Sequence, residues 1–318
     1  MDILLTGSVA FDYLMTFPGL FKEQILPERL EKISLSFLVD SMSRQRGGIA
    51  PNIAYTMALL GEHPRVMATV GEDFGEYRQW LENKGVDTTL MQVISGLYTA
   101  SFFATTDQSN AQIASFYPGA MGVAAQQSLR DVQKRPNLVV VSPNSPEAMT
   151  KFAAECRELK IPYLYDPSQQ ILRLEGPELA RDMEGAHFLF VNDYEFGLIS
   201  NKTGLDIIHM LQHVDVIVIT RGKDGSTVYA AGKEYNIPVV PEVCIVDPTG
   251  VGDAFRAGFL IGYARGWSWE LCGQIGSLAA TYCLEQKGTQ NHSFTRLAFV
   301  KRFRQHFDDK GLLDTIIL

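Results

Sequence analysis

The chain has 318 residues, 46% apolar and 20% charged, with 28 basic against 36 acidic side chains and a net charge of −8. That is material for one large α/β domain or two ordinary ones, and the acidic balance argues against a general nucleic-acid or anionic-membrane surface, since both need a basic field. Cys156, Cys244, Cys272 and Cys283 stand singly, with no C-x-x-C pair or metal-ligand spacing, which fits a reduced cytoplasmic protein better than a secreted disulfide scaffold. The opening Met1-Asp-Ile-Leu-Leu-Thr-Gly has no basic leader, and no stretch approaches the roughly 20 apolar residues that cross a bilayer. The expectation is a soluble, cytoplasmic protein with no membrane partner.

Short apolar runs predict strands at Ile3–Thr6, Arg65–Val70, Leu138–Val141, Tyr163–Tyr165, Phe188–Val191 and Val216–Thr220. Helical patterns fall between them at Asn52–Leu60, Glu76–Lys84, Pro146–Leu159 and Leu205–Gln212. Apolar strands alternating with helices predict a mostly parallel sheet covered on both faces. The last third turns helical, at about Gly252–Ala264, Trp269–Glu285 and Thr295–His306. Two stretches break the rhythm. Phe17–Arg46 contains the strand-like run Ile33-Ser-Leu-Ser-Phe-Leu-Val, and Leu97–Tyr117 has a hairpin pattern around the polar turn Asp107-Gln-Ser-Asn. They read as a small sheet projecting from the main domain or as ordinary edge strands. With no repeat, low-complexity tract or linker, residues 1–318 are expected to form one unit with an appendage.

The most informative segment is Asp247-Pro-Thr-Gly-Val-Gly-Asp-Ala-Phe-Arg-Ala-Gly. A strand-like run, Val243–Val246, leads into a glycine turn that opens an apolar helix, in which Arg256 is the only charge from Ala254 to Ala264. Asp253 falls in the helix's first turn, where free amides and the dipole gather positive potential. Gly250 and Gly252 let the backbone close on a ligand and aim successive N–H groups at one place, as phosphate requires. A first-turn acid beside a tight turn is the plain structural alternative. Neither G-x-x-x-x-G-K-[ST] nor G-x-G-x-x-G is present, since Asp224 follows Gly222-Lys223 and Phe255 occupies the third glycine's place.

This segment resembles D-T-x-G-A-G-D-x-F of the PfkB, or ribokinase-like, carbohydrate and nucleoside kinases, with Pro248 before Thr249 and Val251 in place of alanine. Gly47-Gly48-Ile-Ala-Pro-Asn52 resembles the family's G-G-x-x-x-N, Gly7-Ser-Val-Ala-Phe-Asp12 its first strand and substrate-binding aspartate, Asn192-Asp-Tyr-Glu195 its N-x-x-E, and Thr220-Arg-Gly222-Lys-Asp-Gly225 its strand-end turn beside ATP. The matches run in family order from Gly7 to about Gly288. The resemblance implies a three-layer α/β/α sandwich with a β-sheet lid inserted at about 17–46 and 97–117. It implies ATP with magnesium, a monovalent cation being left open. By motif match Asp253 is the base, the Gly250, Val251 and Gly252 amides the anion hole, and Asp12, Gly47, Gly48 and Asn52 the sugar site. Thr220, Gly222 and Gly225 would lie beside the nucleotide, and Asn192 and Glu195 beside phosphate, Glu195 acting on the metal through water. Read alone, Asn52, Asp12 and the Asn192–Glu195 pair are helix-entry and turn residues before they are site residues.

Within the family, Asp107–Met121 and Gly288-Thr-Gln-Asn-His-Ser-Phe resemble adenosine- and nucleoside-kinase-like members, with Phe102, Phe116 and Tyr117 available either to stack a base or to fill the lid core. The acceptor expected first is thus the 5′-hydroxyl of an adenosine-like nucleoside, and second a free sugar, as in ribokinase or fructokinase. From other classes, a dinucleotide-dependent oxidoreductase lacks its fingerprint after Thr6, and a non-catalytic ligand-binding relic would have lost Asp253. Small-molecule acceptor and ATP are the expected partners; nothing in the sequence decides for or against a homodimer.

Overall fold

The computed structural model describes residues 1–26, 31–32 and 34–317. Period-two alternation sets the main sheet. Phe188 and Phe190 enter one core with Leu5, Val66, Phe259, Leu260 and Leu278, whereas Leu189 and Val191 enter the other with Leu4, Val139, Phe152 and Ile217. Strands buried on both faces read as continuous apolar runs, which is why β1 (Ile3–Thr6), β4 (Arg65–Val70), β8 (Leu138–Val141), β9 (Tyr163–Tyr165), β10 (Phe188–Asn192) and β11 (Val216–Thr220) stand where the sequence predicts them. With β5 (Asp87–Val93), β12 (Ser226–Ala230) and β13 (Lys233–Ile237) they form a nine-stranded sheet ordered β13-β12-β11-β10-β9-β8-β1-β4-β5. It is parallel from β5 to β11, with β12 and β13 added antiparallel. Among the described residues no helix is long and apolar enough to cross a membrane.

A second sheet of four strands, β3-β2-β6-β7, pairs β2 (Ala10–Thr16) with β3 (Ser41–Gly47) and β6 (Ala100–Thr106) with β7 (Gln112–Tyr117). The 97–117 hairpin forms as expected. The run beginning at Ile33 does not: Ile33 lies outside the described residues, and residues 34–39 have no strand pairing. Its place is taken by polar Ser41–Gly47, because pairing with β2 outweighs intrinsic β-propensity. Val243–Val246 is likewise no strand. Val243 is 86% exposed, and the segment is tied to the end of the helix Trp269–Leu284 through Val246 N–H and the Leu284 carbonyl at 2.9 Å. The expected helix Leu205–Gln212 shrinks to the single turn Ile207–Met210, capped by Asp206.

Between the sheets runs the helix Ile49–Leu59, whose N-terminal residue Gly48 has φ +96° and packs directly on the β1–β2 connection. A β-carbon there would lie 2.5 Å from the Ser8 carbonyl oxygen and 2.6 Å from the Val9 Cα. Gly48→Ala combines that backbone clash with a φ costing about 1–3 kcal/mol. Its urea unfolding midpoint should fall by at least that equivalent; an unchanged midpoint would show that the connection simply moves aside.

Candidate active site

The helix Val251–Ala264 begins at Gly250, held in the left-handed region at φ +79°. Upstream, the Asp247 carboxylate accepts the Thr249 N–H and the Gly288 N–H, both at 2.9 Å. Partial burial pushes the Asp247 carboxyl upward, but these bonds win and hold it below its ordinary value. The Val251 N–H reaches the Pro248 carbonyl only at 3.4 Å, and among the described residues the Gly252 and Asp253 N–H groups find no backbone acceptor. Free donors thus converge at the positive end of a fourteen-residue helix.

Asp253, 7% exposed, accepts the Asn52 side-chain N–H at 2.9 Å across 201 residues. Asn52 Oδ1 in turn accepts from Gln290 Nε2 at 2.9 Å. The same Gln290 amide donates to the Tyr77 hydroxyl, which donates to the Gly47 carbonyl at 2.9 Å. Gly47 ends β3 against the Asp12 side chain: a β-carbon there would stand 2.6 Å from Asp12 Oδ2. Asp12, Gly47, Gly48, Asn52 and Asp253 are therefore brought together as one array. Asp12 departs from expectation in one respect, since it sits within β2 of the small sheet and not in a turn after β1. Burial, assisted by Asp247, pushes its carboxyl up to about 6. Burial also lifts Asp253 to about 6; Arg256 and the Asn52 bond pull it down, and Glu195 pushes it up.

Asn192 and Glu195 form a reciprocal capping box at the helix Asp193–Thr203, with side-chain bonds of 2.7 and 2.8 Å, so their local role is the structural one. Glu195 is still near enough to push up both Asp166 and Asp253. Gly222 and Gly225 close the turn from β11 to β12, where a β-carbon on Gly225 would lie 2.2 Å from the Ile237 carbonyl oxygen. Thr220 ends β11 in register with Asn192. These three form no hydrogen bond to the Asp253 array; they border a separate groove lined by Arg221, Thr227, Asn236 and Pro238. In the small sheet, Asp12 pairs with Phe102 and Phe102 with Phe116, so the three share one face. Tyr117 pairs with Ser101 and falls on the opposite face.

Four participants were not singled out as site residues from sequence: Asp166, Arg256, Gln290 and Tyr77. Asp166 follows β9, is fully buried, and meets Arg256 Nε at 2.8 Å; Arg256 Nη1 is 3.4 Å from Asp253 Oδ1. Burial pushes Asp166 up to about 7 against the pull of Arg256. A lone charge in an apolar helix was the available signal for Arg256; pairings across 90 to 240 residues left none for the others.

A model of the pfkB family of carbohydrate kinases matches residues 6–296. A nucleoside kinase of Methanothermobacter thermautotrophicus is 31% identical over 307 residues, covering 95% of each chain, and one of Methanocaldococcus jannaschii 29% over 306 residues, covering 96% of this chain and 97% of that one. The solved structure of Burkholderia thailandensis nucleoside kinase in complex with inosine superposes with a TM-score of 0.86 at 35% identity, over 96% of this chain and 98% of that one. With the two-sheet fold and the motif residues converging on one helix start, the chain belongs to the pfkB carbohydrate kinase family, as an ATP-dependent sugar or nucleoside kinase.

Proposed function

We propose that the protein transfers the γ-phosphoryl group of ATP to the 5′-hydroxyl of a nucleoside, purine nucleosides such as adenosine first, in the cytoplasm. The observation that carries the reading is the hydrogen-bonded run Gly47–Tyr77–Gln290–Asn52–Asp253, with the Asp12 side chain against Gly47 at its far end, which supports a sugar-binding carboxylate and a base on either side of Asn52. Phe102 and Phe116, on the Asp12 face of the small sheet, favour a nucleoside over a free sugar, which has no base for them to stack on. Both nucleoside kinases reported above and the inosine-bound structure support the same acceptor class.

Phosphoryl transfer needs alignment, charge neutralisation and an acceptor for the hydroxyl proton. Asp253, held near 6, is anionic at neutral pH yet basic enough to take that proton. The Gly250, Val251 and Gly252 amides would receive the phosphoryl oxygens. Asn52 has both amide ends engaged, leaving one N–H and one lone pair for the sugar beside Asp12, Gly47 and Gly48. Thr220, Gly222 and Gly225 would border the nucleotide, along the groove beside β12 and β13. Among the described residues no group of three metal-ligating side chains is present, so magnesium would be held chiefly by phosphate and water with one carboxylate, as it commonly is. Glu195, through water, is the residue for it, and the ion would screen phosphate charge. The small sheet would serve as the lid that excludes competing water.

Three measurements test this. Among adenosine, inosine, cytidine, ribose and fructose, a purine nucleoside should show the highest kcat/KM; a free sugar ahead by tenfold would overturn the acceptor. Saturating nucleoside should slow hydrogen exchange in residues 41–47 and 97–117 more than in the main sheet, and unchanged exchange there would remove the lid role. Asp253→Asn should lower kcat by about 10²–10⁴-fold while ATP still binds. Its stability carries an independent sign. A carboxyl raised to about 6 from 3.8 opposes folding only when ionised, so that cost is absent near pH 4 and complete above pH 6. The variant should melt with the wild type near pH 4 and above it at pH 7.5, by on the order of 1–3 kcal/mol. A folded variant with normal turnover would dismiss Asp253 as the base.

A further inference from the structure

Arg256 is the one charged residue of an otherwise apolar helix, and its side chain is only 11% exposed. One turn after Asp253, it lies on the same face as that acid. Two ion-pair contacts and the nearness of Gly252 place its guanidinium. Nε meets Asp166 Oδ2 at 2.8 Å, Nη1 stands 3.4 Å from Asp253 Oδ1, and a β-carbon added at Gly252 would lie 2.9 Å from Nη1. The cation is thus wedged between two carboxylates and pressed against the glycine turn. A buried ion pair is a poor device for stability alone, since well-packed apolar side chains of similar volume often serve as well or better.

The surroundings of Asp253 make the cation's effect specific. Glu195 on the helix Asp193–Thr203 faces it with negative charge, and Asp166 at the end of β9 shares the guanidinium with it. Asn52, from the helix Ile49–Leu59, is neutral; Cys283, from the helix Trp269–Leu284, is a thiol that burial pushes up to about 12, hence also neutral. Arg256 is the only cation in this set. Without it, a carboxylate in a dry site beside two other acids would hold its proton and could not accept another.

We propose that Arg256 is the positioning residue of this kinase's base: anchored by Asp166, its guanidinium keeps the Asp253 carboxylate ionised and turned toward the glycine turn. This rests on Asp253 being the base. Asp166 acts on the base through the arginine it anchors, so the decisive change is removal of the cation itself. A purely structural ion pair predicts a loss of stability from losing Arg256 and no displacement of the base.

The test is the acid limb of kcat/KM, which reports the free enzyme, at constant MgATP and nucleoside so that substrate titration is common to all variants. Asp166→Asn is the parent for the arginine variants, and its own limb is the reference. Adding Arg256→Met to Asp166→Asn, so that no Asp166 carboxylate is left buried and unpaired, should raise the limb by about 1 unit or more, with activity recovering toward the parent's plateau at high pH. Arg256→Lys in the same background should keep the limb within a few tenths of a unit of the parent. A folded Arg256→Met double variant with an unmoved limb overturns the proposal. So does a loss of equal size at every pH with a raised KM for ATP, which would make Arg256 a phosphate contact. If the Arg256→Met double variant does not fold, Arg256→Gln in the same background takes its place, and an unmoved limb in that folded variant overturns the proposal. Undiminished turnover in Asp253→Asn would instead remove the base assignment itself, so the two failures are distinguishable.

Discussion

The site depends on keeping one buried carboxylate usable. Asp253 occupies the first turn of a helix whose remaining turns are core, so it is withdrawn from water by the burial that anchors the helix. An acid in that position gives up its charge unless hydrogen bonds and cations replace the lost hydration. Asn52 supplies the bond at 2.9 Å and Arg256 the charge at 3.4 Å. Burial still leads among the opposing influences, so the group settles near 6 rather than near 4. That intermediate value suits a proton acceptor at neutral pH better than either a fully solvated or a fully isolated carboxylate would.

The loop Gly288–His292 transmits this constraint to the small sheet. Gly288 N–H bonds Asp247, the Thr289 hydroxyl donates to the Arg46 carbonyl at 2.9 Å, Gln290 bridges Asn52 and Tyr77, and the His292 ring bonds the Thr56 hydroxyl. Successive residues thus grip the turn before Asp253, the root of β3 and the helix after Gly48. Burial pushes the His292 ring down to about 4, so it is a neutral partner throughout the working pH range and not a switch. Displacement of the small sheet would pull on Gly47 and, through Tyr77 and Gln290, on the amide that orients Asp253. A small sheet attached in this way has little freedom at its root, whatever its tip does.

How much of this was legible in the sequence follows from where the information lies. Leu138–Val141 and Val216–Thr220 announce themselves because both faces are buried, whereas Ser41–Gly47 is a strand only because β2 lies beside it. Val243–Val246 has strand composition but no neighbour to pair with, and composition alone cannot supply one. Asp253 and Asn52 stand in local motifs, so the spacing of glycines gives them away. Their bond to each other, and the Asp166–Arg256 and Gln290–Tyr77 contacts, are tertiary facts between residues that show no shared local pattern. Asn192 and Glu195 show the converse: the motif is plain, and the local geometry satisfies it completely as a helix cap.

The electrostatic balance explains why a glycine turn suits this site better than a lysine loop would. Three acids, Glu195, Asp166 and Asp253, act on one guanidinium before any nucleotide arrives, so the proposed phosphate site carries more acids than cations. A lysine placed at the helix start would offset that, but it would also pair with Asp253 and depress its affinity for a proton. Backbone amides attract phosphate as partial charges fixed by the helix, and they cannot swing toward the base. On the proposed mechanism the mobile positive charge would arrive with the nucleotide, the part a divalent cation would play. Attraction for phosphate and proton affinity at Asp253 are thereby set by different groups, and each can be strong without weakening the other.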